Sequence, residues 1–330
     1  MNYRFSVIIL IVLLLVAFAL NLVAGNAHID WTEFSQSEVA RKLVFDYRLP
    51  KAVAALLSGI AISISGLLLQ ELFTNPLADP SVLGITSASG LGVAVVIFLS
   101  GLLGLSEMVQ NPWLICSASF VGALLTLLLI VYFSSKLNST ASLIIMGMMI
   151  AGFSSAVIGL LQYFAGSEQI KSYLIWTFGS FSGLAWEQLT VFFLMTLLGL
   201  MVSLFTLRGI SGLRLGEDYA HSMGVNIPRT RMGILVSSAL LTAATTAFVG
   251  PVAFLGLAVP HICRMLFRQT AVNRLYLLVL LSGAVLMLAF AWLSQLFPNG
   301  ILPVNIITSL IGTPIVISIL LNRNQYNWHD

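Results

Sequence analysis

Residues 6–25 read SVIILIVLLLVAFALNLVAG, an apolar run without a single charge. A bilayer core is crossed by about 20 predominantly apolar residues wound as a helix. Backbone groups in lipid have no water to bond, so only helices and closed barrels span it, and barrel strands alternate polar with apolar positions. This run does not alternate, which decides for helix. Arg4 before it and the small residues Ala24, Gly25 and Ala27 after it invite a signal-peptide reading. A signal's apolar stretch is about 7 to 15 residues, however, so residues 5–25 are expected to be a first transmembrane helix.

The rest of the chain repeats this pattern. Its 330 residues are 58% apolar and 8% charged, with a mean hydropathy of +1.00. Too few polar side chains remain to cover a soluble globule. Apolar runs near 5–25, 49–70, 81–103, 112–133, 141–165, 188–207, 232–249, 251–267, 275–297 and 304–322 predict ten spans. The expected class is an all-α polytopic membrane protein forming one domain over residues 1–330. Ten spans put both termini on one side. If that side is the cytoplasm, ten basic residues fall inside and five outside, and the positive-inside rule supports this orientation.

Two outer connections read as structured. Residues 28–50, HIDWTEFSQSEVARKLVFDYRLP, mix aromatic and charged side chains as an interfacial helix does. A surface helix is expected over about 168–180, where Ile170, Tyr173, Leu174 and Trp176 are spaced for one apolar face. The second and seventh spans both follow arginine and run through small residues while entering from opposite sides, the pattern of an inverted repeat.

On the inner side, residues 208–231, RGISGLRLGEDYAHSMGVNIPRTR, carry six of the chain's 15 basic and 12 acidic side chains: Arg208, Arg214, Glu217, Asp218, Arg229 and Arg231. Such a loop points to a partner in the aqueous phase. No GxxxxGK[ST] sequence occurs, so the chain has no P-loop of its own, and HExxH, GxSxG and a complete GxGxxG are absent too. Span interiors hold no ionisable residue at their centres, whereas ion-coupled transporters keep such groups for coupling. Energy for transport is therefore expected from another subunit. The two cysteines, Cys116 and Cys263, lie in or beside apolar segments and read as small buried hydrophobes. Neither a metal site nor a cofactor in this chain is expected.

Local motifs allow bland readings. Asn75-Pro76-Leu77-Ala78-Asp79-Pro80 is a tight turn by its prolines and its side-chain acceptors. The segment from Gly250 to Arg264, with Pro260 and His261, reads as a short or broken span. Arg48 and Lys51, at the outer end of the second span, suit snorkelling to head groups as well as docking of a partner. Ser139 or Thr140 suits a helix N-cap, and Met146 suits packing.

Taken in order, RLPKAVAALLSG, NPLADPSVLG, LRLGEDYAHSMGV, VGPVAFLGLAVPHICR and LPVNIITSLIGTPIVISILL resemble the FecCD-type permeases, membrane subunits of ABC importers for iron-siderophores, haem and cobalamin. The resemblance covers about residues 45 to 322. It implies a type II importer permease of ten helices in the cytoplasmic (inner) membrane and a homodimer with its pathway on the dimer axis. It also implies two ATPase subunits holding ATP and Mg, and a periplasmic or lipid-anchored binding protein; lipid surrounds the assembly and no nucleic acid is a partner. By resemblance, the segment around Arg214, Gly216, Glu217, Asp218, Ala220, Gly224 and Arg229 is the ATPase coupling element, two short helices with Ala220 allowing close approach to the partner.

Resemblance also makes Arg48 and Lys51 contacts for acidic groups of the binding protein. Asn138, Ser139, Thr140, Ala141 and Ser142 resemble the cytoplasmic gate, with Met146 beyond them on the pathway. Asn75, Pro76, Asp79, Pro80, Pro260, His261 and Arg264 belong to family motifs. The Asp and Arg that family members carry before the last LPxxI motif are replaced by Phe290 and Ser294, and Asn305 stands where glycine is usual. A permease for another small ligand such as a free metal ion, an ion-coupled secondary transporter and a membrane scaffold remain the competing readings.

Overall fold

The computed structural model describes residues 2–23, 25, 29, 34, 36–105, 111–134, 136, 140–269, 271–297 and 300–321, and among them every regular element is helical. Helix α1 (Tyr3–Val23) precedes α2 (Glu38–Lys42), which passes through a π-helical turn (Leu43–Arg48) into α3 (Leu49–Leu72). A 3-10 turn (Pro80–Leu83) leads into α4 (Ile85–Leu102), followed by α5 (Pro112–Ser134), α6 (Thr140–Phe164) and the surface helix α7 (Ser167–Phe178). Then come α8 (Trp186–Leu213), the short α9 (Glu217–Ser222), α10 (Ile227–Val249), α11 (Leu255–Phe267), α12 (Val272–Leu293) and α13 (Val304–Leu321). Among the described residues, eight helical runs are long and apolar enough to cross a membrane, and Leu255–Phe267 and Val304–Ser318 are shorter apolar runs.

Two expectations change. The outer segment does not form a separate interfacial helix over its whole length, because residues 38–72 make one continuous helical run that carries the second span outward. The polar loop of 208–231 also shrinks: α8 persists to Leu213 and α10 begins at Ile227, where Asn226 caps it by accepting a 3.0 Å bond from the Arg229 amide. Charged residues end a hydropathy window but not a helix, since Arg is a good helix former.

α3 and α10 form the centre: 83% and 72% of their apolar windows are buried, against 17% in α1 and α6. Small residues allow this by letting backbones approach. A Cβ added at Gly59 would lie 2.3 Å from the Gly283 carbonyl of α12, and one at Gly66 would lie 1.8 Å from that of Gly256 in α11. Where α3 crosses α10, the Ser65 hydroxyl lies 2.6 Å from Ser238 Oγ and 2.9 Å from Thr242 Oγ1, so these three hydroxyls partner one another in the interior.

The turns that follow these two helices pack in similar ways. After α3, the turn at Val82–Gly84 seats on Gly147 of α6, where a Cβ would stand 2.2 Å from the Val82 carbonyl. After α10, Phe254 adopts φ 64° and seats on Gly312 of α13, where a Cβ would stand 2.4 Å from its own Cβ. Each turn thus sits in a glycine notch of a later helix.

Candidate coupling and pathway site

The segment joining α8 to α10 is built from turns. Gly216 (φ 105°) and Gly224 (φ 76°) hold conformations that a side chain resists, and they bracket α9. Ala220 faces inward: it is fully buried and its amide and carbonyl bond Gly216 and Val225, so it packs within this chain instead of offering a partner close approach. Around it, Leu215, Tyr219 and Met223 are 63%, 52% and 61% exposed, an apolar cluster that the polar composition of the loop concealed. The segment holds one short helix where two were expected, because its second part is the first turn of α10.

Its charges have different tasks. Glu217 pairs with Arg231 across the base of α9. Arg214 turns inward instead of joining a rim. Its Nε and Nη2 each donate at 2.6 Å to the two oxygens of Glu71, at the end of α3. Arg264 of α11 donates from Nη2 to Glu71 Oε1 at 2.8 Å and from Nη1 to Gln70 Oε1 at 2.5 Å. Among the described residues Asp218 and Arg229 form no ion pair, and both are exposed.

Gln70 and Glu71 were not singled out by sequence. The signal was present: Glu71 is the one acidic residue between Asp46 and Asp79.

Gln70 also repairs a defect in α11. Pro260 has no N–H, so the Gly256 carbonyl four residues earlier loses its helical donor. The Gln70 amide lies 3.5 Å from that carbonyl and 3.2 Å from the next, at Leu257. His261 is buried in the same helix. In the preceding turn, Asn75 Oδ1 accepts from the Leu77 amide at 3.0 Å and Asp79 Oδ1 from the Ser81 amide at 2.9 Å, while Pro76 and Pro80 fix the chain between them.

Of the gate residues, Asn138 and Ser139 and the side chain of Thr140 lie outside the described residues. Ala141 is exposed and Ser142 and Met146 are half-buried at the start of α6, whose outer face carries Met149 at 70% exposure. At the other end, Arg48 and Lys51 depart from the expected projecting charges, for they are buried at 6% and 7% exposure. Arg48 Nη1 donates at 2.8 and 2.6 Å to the Leu22 and Val23 carbonyls, so the guanidinium satisfies the open end of α1. Phe290 and Ser294 are buried too. Asn305 uses the position of the usual glycine to donate to the Thr177 carbonyl of α7 at 3.3 Å.

Comparison with known proteins places this arrangement. The profile of the FecCD transport family matches residues 13–322. A vitamin B12 import system permease protein, BtuC, of Yersinia pseudotuberculosis serotype O:1b (strain IP 31758) is 30% identical, with 94% of this chain and 91% of that protein aligned. The ABC transporter permease protein YvrB of Bacillus subtilis (strain 168), whose function is uncharacterized, is 32% identical over 88% and 82% of the two chains. A solved chain described as belonging to a metal-chelate type ABC transporter, in an inward-facing conformation, superposes with a TM-score of 0.85 at 30% identity, covering 96% of this chain and 98% of that one.

Proposed function

This chain belongs to the FecCD transport family, a multi-pass membrane permease of the ABC importer type, and on that premise we propose that it moves a bulky metal chelate inward. The class is an iron-siderophore, haem or cobalamin. Relatives named for vitamin B12 import and the metal-chelate type structure support a ligand of this size and chemistry. The chain acts in the cytoplasmic membrane as one of two copies, with α6 of each copy on the shared pathway. A binding protein delivers the ligand outside, and two ATPase subunits carrying ATP and Mg supply the energy inside. It performs no bond chemistry itself.

One observation carries this reading. The segment between α8 and α10 presents Leu215, Tyr219 and Met223 together with the charges of Glu217 and Asp218 on a base that is internally packed. Exposed apolar side chains rimmed by charge on a rigid support are what a protein partner buries. Co-expression of the tagged chain with the ATPase of a FecCD-type importer tests it. Co-purification that is lost in a Tyr219→Ser/Met223→Ser variant of unchanged thermal stability is expected; failure of the parent chain to retain any ATPase counts against the proposal.

A further inference from the structure

We infer that Glu71 is the joint through which movement of the coupling segment reaches the pathway helices, a positioning residue for transport. This rests on the proposal that α9 and its flanks receive an ATPase. The carboxylate lies at the end of α3, the most buried of the long helices, and its side chain is 7% exposed. Arg214, which caps α8 where the coupling segment begins, grips it through two nitrogens, and Arg264 binds the same carboxylate from α11. Three elements far apart in sequence therefore meet on one side chain.

Geometry distinguishes this contact from the apolar packing around it. Packed methyl groups slide, whereas a forked guanidinium on a carboxylate fixes distance and direction. Partial burial strengthens the pairs: Arg264 and Arg214 are 17% and 28% exposed, unlike Lys42 and Glu38, whose surface pair is 65% and 81% exposed.

The elements beyond the joint give it a consequence. α3 continues from Glu71 into the turn that seats on Gly147 of α6, and α11 is preceded by its N-cap Phe254, which seats on Gly312 of α13. A displacement of Arg214 is thus handed to both glycine notches at once. Removing the charge leaves the ATPase platform in place but disconnects it.

The test uses the complete complex with its ATPase subunits in lipid nanodiscs, and it needs no transported ligand. A single cysteine is placed on the exposed face of α6 by Ser155→Cys, with Cys116→Ala and Cys263→Ala, and its maleimide labelling is followed with and without ATP. In Glu71→Gln, ATP hydrolysis stays within about twofold of the parent while the ATP-dependent change in labelling falls at least about fivefold, the lower end of ordinary coupling between sites. Glu71→Asp, which keeps the charge, recovers part of the response. An unchanged labelling response in Glu71→Gln, or hydrolysis and labelling that fall in parallel, overturns the inference. Should Glu71→Gln fail to assemble, Arg264→Gln, which removes the other partner of the carboxylate, is judged by the same criteria, and failure of both to assemble also counts against it. A parent complex that recruits no ATPase overturns the functional proposal instead, and this inference with it.

Discussion

Gln70 donates to the Leu257 carbonyl at 3.2 Å and stands beside the Gly256 carbonyl that Pro260 leaves open, so α3 supplies from its side what proline removes from α11. Gln70→Leu should therefore lower stability by about 1–3 kcal/mol, the cost of buried polar groups left without partners. Thermal unfolding in detergent measures it. Pro260→Ala restores an N–H for Gly256, and in the Gln70→Leu background it should recover part of the loss. Strict additivity of the two substitutions would contradict this relationship.

Ala220 and its exposed neighbours should separate folding from assembly. Ala220→Leu forces a larger side chain into a fully buried site beside Gly212, with an overpacking cost of about 1–3 kcal/mol. Tyr219→Ser and Met223→Ser leave that packing alone. Thermal shift should respond to the first substitution, and ATPase co-purification with an unchanged thermal shift to the other two.

The glycine notches make a matched pair of predictions. Gly147→Val and Gly312→Val each drive carbon into backbone or Cβ atoms within 2.4 Å, so α6 or α13 must move off its turn. Each should lower stability by about 1–3 kcal/mol and abolish ATP-driven uptake. Full uptake by either variant would show that the notch does not hold the helix in place.

Arg48 should behave as a cap. Arg48→Ala removes two charge-assisted bonds to the end of α1, and a loss of about 2 kcal/mol is expected. Because the guanidinium is 6% exposed, added salt should change this loss little, as screening acts chiefly on exposed charges. Stability measured between low and high salt checks the sign; a loss that vanishes in high salt would point to an outward-facing contact.

The sequence revealed most of the helices because a lipid-soluble run must be apolar along its length. It located the turn at Asn75–Pro80 because proline and short acceptors act locally. The partners of charges were hidden. Arg48 at a helix end is compatible with snorkelling, docking or capping, and only the arrival of the Leu22 and Val23 carbonyls decides among them. Arg214 was grouped with its polar neighbours, yet its partner Glu71 lies 143 positions away. Ala220 was read as an approach surface because small residues suit both tight internal packing and close docking, and the sequence carries no sign of which face turns inward.

The central claim is that this chain transports only when driven by an ATPase docked at the α8–α10 segment. Its most direct test is uptake into proteoliposomes containing the chain, the ATPase subunits and a binding protein, with ATP inside and cobalamin, a ferric siderophore or haem outside. ATP-dependent uptake of at least one of these, lost in Tyr219→Ser/Met223→Ser, is the predicted result. Uptake by the chain alone without ATP would contradict the account.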